Sequence, residues 1–426
     1  MPPFLQFIRS ASKLAVGNVG AQAISVGTAA LMGRLFAPSA VGEYYLIFSI
    51  AAMAALTSTG RYESAIITVQ GRRTAYLLYR ISMVLNALAF ALLFIALLFF
   101  SIVSSYQPLT DWNLEWPFGI VLVFHMGVHQ TLIAYANRCA MFGVMARARI
   151  IAALGNLAAV AAGSLYARTP EVLICASTAS YLLAICYLYW ALRNEWSAPL
   201  RASRKRYAAI LTRYRKFPAY GIPTGFLNSL VYAAPLFLLS IFYGAATSGS
   251  FAMAQRIISL PMNMVTGAAA EVFRADILAA GNNEKIRTVY RRTARILSAG
   301  AIPFAIFGVL AAPWVITFIL GQRWETASIF AAILIPMYAA RIVGSPLGYM
   351  PVFYRRLDLD FYFQLGWAIV LGCVCALSAY LLSDMVTIAV YAAINCVAFL
   401  VYILWSWHLV VHQGRLPFSM PAARGN

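Results

Sequence analysis

Apolar residues fill this chain in long runs, separated by short polar segments rich in Arg and Lys. A helix needs about 20 mostly apolar residues to cross the hydrocarbon core of a bilayer. On that length the pattern predicts membrane helices over Leu14–Phe36, Val41–Gly60, Ile81–Val103, Phe118–Asn137, Ile150–Tyr166 and Val172–Leu192. After a basic linker it predicts six more, over Pro218–Tyr243, Gly249–Phe273, Ile296–Leu320, Ala327–Val343, Phe361–Leu382 and Met385–Val411. The fifth and tenth are the shortest. The first leads within a few residues into the second, so it reads as a retained span rather than a cleaved signal.

The polar segments alternate in charge. Arg9 and Lys13 precede span one; Arg61, Arg72, Arg73 and Arg80 follow span two; Arg138, Arg147 and Arg149 follow span four. The linker Arg193–Lys216 is the most basic segment. Arg274 and Lys285 through Arg295 follow span eight, Arg341, Arg355 and Arg356 follow span ten, and Arg415 and Arg424 lie in the tail. Of the 32 Lys and Arg, only Arg34, Arg168 and Arg323 fall on the opposite side, with Glu43, Asp111, Glu115, Glu171, Glu325 and Asp384. Arg256 alone lies within a span. An error in span number would scramble this alternation from the error onward. The expectation is therefore an all-α polytopic membrane protein of about twelve spans, with both ends in the cytoplasm.

The linker divides the chain into residues 1–192, 193–216 and 217–426, with six spans on each side. Leu35–Pro38 leading to Gly42 and Ile241–Gly244 leading to Gly249 open the two halves alike, and Gln22 in span one matches Asn228 in span seven. These traces predict parallel repeats. Prolines are unevenly shared: Pro223, Pro235, Pro261, Pro303, Pro313 and Pro336 fall inside second-half spans, which predicts kinks there.

Composition excludes several classes. The apolar fraction is 62%, against about 45–50% in soluble domains, so lipid must cover the excess. The net charge of +19 is spread over short loops, with no solvated basic face for nucleic acid. The six cysteines lack a CxxC spacing, and five sit in apolar runs, so neither disulfides nor zinc is expected. His125 with His129 and His408 with His412 are spaced i, i+4, but no carboxylate accompanies either pair as a further ligand or base. No phosphate-binding Gly-rich loop occurs, so no cofactor or bound nucleotide is expected.

An ionised side chain at mid-helix costs about 2.5–3.5 kcal/mol on insertion scales, so each such residue asks for a reason. Arg256, in Gln255–Pro261, lies too deep in span eight to snorkel easily. It can hold an anionic headgroup through bidentate hydrogen bonds, or pair with a neighbouring helix. Arg61, Tyr62 and Glu63 close span two, either as an interfacial set or as a gate or cavity rim. Arg341 ends span ten and Glu271 ends span eight just before Arg274, both at interfacial positions. Asn18, Gln22, Asn228 and Asn263 are expected to face the protein interior.

Gly33–Pro38, Val41–Tyr45 and Gly60–Ile67 resemble the opening of bacterial polysaccharide-biosynthesis flippases of the multidrug/oligosaccharidyl-lipid/polysaccharide exporter superfamily. Phe217–Tyr220, Gly249–Arg256, Leu260–Pro261 and Ser345–Leu347 extend the resemblance over nearly the whole chain. It implies two six-helix bundles around a central V-shaped cavity lined by cations, in the bacterial inner membrane. It also implies transport of an undecaprenyl-diphosphate-linked oligosaccharide to the outer leaflet, beside a glycan polymerase and other assembly proteins. On that reading Arg256 with Gln255 leads as the diphosphate contact, Arg61 and Arg341 follow, and Gln22 and Asn228 line the path. A multidrug or cation exporter of the same fold would call for mid-span carboxylates, and none is clear. A membrane polymerase or acyltransferase would call for a large external loop or an activated histidine, and Ser104–Pro117 is a short loop.

Overall fold

A computed structural model describes residues 3–69, 71–104, 115–196, 203–354 and 356–412. Asp111, Arg201, Arg355, Arg415 and Arg424 of the charge pattern lie outside the described residues. The described secondary structure is helical: α1 Pro3–Leu35, α2 Pro38–Ser58, α3 Tyr62–Thr68, α4 Arg72–Ser104, α5 Glu115–Arg138, α6 Phe142–Gly163 and α7 Pro170–Leu192. There follow α8 Arg204–Arg213, α9 Ile222–Tyr243, α10 Ala245–Ala279, α11 Asn283–Leu320, α12 Glu325–Leu347, α13 Met350–Phe353, α14 Leu357–Leu381 and α15 Asp384–His412.

Among the described residues, ten helices are long and apolar enough to cross a membrane. The two other long ones, α1 with 33 residues and α10 with 35, cover the predicted first and eighth spans. The chain is a multi-pass membrane protein. Every predicted span thus has its helix, and the differences lie at the ends. The fifth and tenth are full helices of 22 and 23 residues. The fifth was cut short because Arg147 and Arg149 read as loop; both lie in the opening turns of α6, where Arg149 donates to the Asn18 amide oxygen of α1.

The packing divides at Ala233/Ala234, inside α9. In the first unit α5 is the central helix, packing against α2, α4 and α7, while α6 packs against both α1 and α7. Small residues allow the α1–α6 seam: a Cβ on Gly17 would strike Ala146, and one on Gly20 would sit 3.9 Å from Ile150. In the second unit α12 is central, packing against α10, α11 and α15, with α14 against α15. The fourth long helix of each half is thus the most enclosed. In each half it packs against the second, third and sixth, and the fifth packs against the sixth. This pairing is common to the two halves, apart from the extensive α1–α6 seam of the first.

Proline use separates the units. Pro38 and Pro170 occupy first-turn positions of α2 and α7, where a missing N–H costs nothing. Pro235, Pro261, Pro303, Pro313, Pro336 and Pro346 lie inside α9, α10, α11 and α12. Before α9 the chain makes a π-helical turn over Phe217–Gly221, with Pro218 in its first turn and Pro223 just beyond.

Candidate functional site

A buried polar cluster of the first unit forms where α2 breaks. Thr59 still has right-handed backbone angles, but Gly60 (φ 65°) and Arg61 (φ 58°, ψ 13°) both turn left-handed. Glycine does this freely; arginine does so at a cost, because its Cβ crowds the backbone. The double turn redirects the chain into α3, whose Tyr62, Glu63, Ala65 and Ile66 are buried. Hydropathy alone missed α3, which looks like the tail of span two and a loop.

The turn places Glu63 inside the protein with two partners. Thr59 Oγ1 donates to Glu63 Oε2 at 2.6 Å, and Arg61 Nη1 lies 3.6 Å from Glu63 Oε1. Next to it, Ser58 Oγ donates to Asn86 Oδ1 at 2.7 Å, and Asn86 Nδ2 donates to the Phe124 carbonyl at 2.9 Å. The break in α2 is therefore tied to both α4 and α5. Burial pushes the Tyr62 phenol up, so it stays protonated.

The Arg61 side chain lies against the start of α9. A Cβ on Gly221 would sit 3.3 Å from Arg61 Cβ, and one on Gly225 would sit 3.5 Å from Arg61 Cζ and 2.6 Å from Leu56 Cδ2. The spacing Gly221-x-x-x-Gly225 therefore lets the helix approach a guanidinium closely. Among the described residues Arg61 Nε is buried with no hydrogen-bond acceptor, while the side chain keeps 26% of its exposure. The group thus has one edge on Glu63 and donor capacity to spare.

The other predicted residues separate. Gln22 is half-buried on α1, its Oε1 enclosed without a donor. Asn18 is used by Arg149. Asn228 and Asn263 are exposed; Asn228 shares its side of α9 with Gly221 and Gly225, and Asn263 stands between the buried Ser259 and Thr266 on α10. In the second unit, Gln255 and Arg256 are half-buried on α10 directly after the buried run Phe251–Ala254. Arg341 is half-buried on α12, its guanidinium 5.9 Å from the Tyr338 ring centre. These three stand on two helices packed together. Glu271 and Arg274 are exposed near the end of α10, as interfacial residues should be.

The histidine pairs are engaged otherwise than as ligands. His125 Nδ1 lies 2.8 Å from the Val121 carbonyl, and His129 meets Tyr181 edge-on at 5.2 Å. His408 and His412 stack at 4.0 Å. Among the described residues no three His, Cys, Asp or Glu come together as a metal set.

The sequence reading missed Thr59, Asn86, Gly221 and Gly225. The glycine pair was legible as a small-x-x-x-small motif; Asn86 was hidden among apolar neighbours.

Comparison with known proteins places this architecture. The chain is 25% identical over 220 residues to the teichuronic acid biosynthesis protein TuaB of Bacillus subtilis (strain 168), a match covering 50% of this chain and 44% of that protein. The alignment thus spans less than half of that relative's length. Among solved structures, Lipid II flippase MurJ in its inward closed conformation superposes with a TM-score of 0.68 at 9% identity, over 92% of this chain and 87% of that one. An outward-facing multidrug resistance MATE family transporter of the MOP superfamily gives 0.59 at 16% identity, over 94% and 95%. At such identities these two establish a shared fold. Residues 31–329 match the family described as polysaccharide biosynthesis protein, well over half of the sequence, and the chain belongs to that family.

Proposed function

We propose that this protein is a flippase that carries a lipid-linked oligosaccharide from the cytoplasmic to the outer leaflet of a bacterial inner membrane during surface polysaccharide assembly. The observation that carries the reading is membership of a polysaccharide biosynthesis family on a MurJ- and MATE-like helical fold. A diphosphate bearing sugars cannot cross hydrocarbon unaided, because stripping its water costs many kcal/mol. Protein polar groups must replace that hydration while the lipid tail stays in the bilayer. In this proposal residues 1–192 and 217–426 form the two six-span bundles, 193–216 joins them, and the basic ends face the cytoplasm.

Each unit then supplies its own cation. Arg256, flanked by Gln255, is the leading diphosphate contact in the second unit, with Arg341 in support. Arg61 offers the spare donor edge of its guanidinium in the first unit, while Tyr62 and Glu63 form the rim that holds it. Gln22, with its enclosed and undonated amide oxygen, and Asn228, exposed on α9, serve the sugar. A glycan polymerase is the partner that would consume the product.

The test is flipping by purified protein in proteoliposomes, using a fluorescent undecaprenyl-diphosphate oligosaccharide and a membrane-impermeant quencher. Arg256→Ala is expected to slow flipping about tenfold or more, the loss of one charge-assisted contact. Full activity in that variant would remove Arg256 from the path. Wild-type vesicles that ignore the lipid yet move a labelled cationic drug would replace the flippase with an exporter.

A further inference from the structure

The linker between α7 and α9 is expected to be a basic loop, and such a loop needs only its charge to set orientation. The structure adds something that orientation does not require. Residues 204–213 fold into α8, whose inner stripe is seated on the protein. Ile210 is buried in the apolar core of the first unit, and Tyr207, Tyr214 and Phe217 pack against that core. The helix therefore has a fixed position at the end of the bundle formed by the last turns of α5 and α7 and the first turns of α4 and α6.

Around that seated stripe stand Arg204, Lys205, Arg206, Arg213, Arg215 and Lys216, all exposed. At 100° per residue, Arg206 and Arg213 share one flank of α8, Lys205 points opposite the core, and Arg204 lies on the other flank. No Asp or Glu occurs between Glu195 and Glu271, so the segment carries no local counter-charge. The ion pairs Arg61–Glu63 and Arg356–Asp358 both lie elsewhere. Six like charges held on a rigid platform repel one another and call for an anionic occupant.

The surroundings say which occupant. Both neighbouring helices, α7 and α9, are membrane spans, and α8 joins their ends. Trp190, exposed on the last turns of α7, carries the Arg193 guanidinium 5.2 Å from its ring, an arrangement typical of the headgroup layer. Leu211 presents an exposed apolar side chain beside the Arg204 flank. A helix with cations, a flanking leucine and a nearby interfacial tryptophan matches an anionic bilayer surface, where each Lys or Arg gains from the negative potential. We infer that α8 and the adjoining Tyr214–Lys216 form a docking platform for anionic phospholipid headgroups. Transport is not needed for this binding, so it stands or falls separately from the flippase proposal.

The experiment reconstitutes the full chain in phosphatidylcholine bilayers containing trace spin-labelled phosphatidylglycerol or phosphatidylcholine. Electron paramagnetic resonance then gives the preference of the protein-bound lipid layer. Wild type is expected to select phosphatidylglycerol roughly twofold or more in low salt, and to lose the preference near 1 M salt, where the Debye length is about 3 Å. Exchanging all six cations for Gln is expected to remove at least half of the excess. Exchanging the four arginines for Lys should keep it, because charge rather than fork geometry is being read. Neutralising Arg291, Arg292 and Arg295 on α11 should leave most of it. Should the sixfold variant fail to fold, the Arg204→Gln, Lys205→Gln, Arg206→Gln variant is read instead. Unchanged preference in the neutralised linker, or its disappearance in the α11 variant instead, overturns the inference. So does an acidic protein that co-purifies with wild type and is lost from the neutralised linker while lipid preference persists.

Discussion

The two units share a helix-pairing plan yet are built from different materials. In the first, the helices are tied by buried polar bonds: Tyr44 to Ser177 at 2.8 Å, Ser58 to Asn86 to the Phe124 carbonyl, Thr59 to Glu63, and Tyr79 to Tyr189 at 2.9 Å. Its described prolines stay in or near the first turns of helices. In the second, six prolines interrupt α9 to α12, and hydroxyls again join different elements: Tyr243 reaches the Ala379 and Leu382 carbonyls and Thr387, Tyr290 the Ile403 carbonyl, and Tyr402 the Asp360 carboxylate. Buried hydrogen bonds in a low dielectric hold a seam firmly, whereas each internal proline deletes a backbone bond and weakens the helix locally. The same plan thus yields one unit whose prolines stand at helix starts and one whose prolines lie within its helices.

This contrast can be broken at defined places. The largest effect is expected at Arg61. Arg61→Ala strands the buried Glu63 carboxylate and should cost about 2–4 kcal/mol, read by unfolding in mixed micelles. Arg61→Gly strands the same carboxylate but relieves the left-handed backbone, and should lie about 1 kcal/mol above the alanine variant. Equal losses would show that the backbone there is unstrained. In the second unit, Pro261→Ala should restore a helix bond, raise stability by about 1–3 kcal/mol and slow flipping. Gly127→Ala should cost about 1–3 kcal/mol, because the added methyl collides with the Asn86 amide that joins α4 to α5. Thr59→Val should cost about 1 kcal/mol by removing one donor from Glu63. The smallest effect is expected at His408→Ala, within about 0.5 kcal/mol, since that ring stacks only on exposed His412. Deletion of polar ties in the first unit that leaves stability untouched would dissolve the contrast altogether.

Much of this architecture was written in hydropathy. Membrane helices advertise themselves because every residue facing lipid must be apolar, so each predicted span found its helix. What failed did so for physical reasons. Arg147 and Arg149 read as loop, yet a helix can begin in water with its cations engaged on opposite sides, Arg147 over the Tyr187 ring of α7 and Arg149 on Asn18 of α1. The seven residues of α3 are too few to give a period and are folded under by a turn that only Gly60 hints at. Arg61, Tyr62 and Glu63 were singled out as adjacent ionisable residues; their tie to Thr59 and to Gly221 and Gly225 needed coordinates, because partners distant in sequence leave no local mark. Asn228 and Asn263 show the limit of polarity as a guide: it marks a side chain that avoids hydrocarbon without saying whether a seam or an open cavity receives it. The linker showed its charge in sequence but not its helix, whose seated stripe is only Tyr207, Ile210 and Tyr214.

The length of α11 has its own consequence. Its 38 residues span about 57 Å at 1.5 Å per residue, while hydrocarbon is about 30 Å thick. The surplus falls on the opening stretch Asn283–Arg295, where Lys285, Arg287, Arg291, Arg292 and Arg295 are exposed. That stretch must stand in water as a rigid gauge rod. A single cysteine at Thr288 on it would react with an impermeant maleimide from one side of a sealed vesicle only, so a chemical stain would reveal which way the whole chain is threaded.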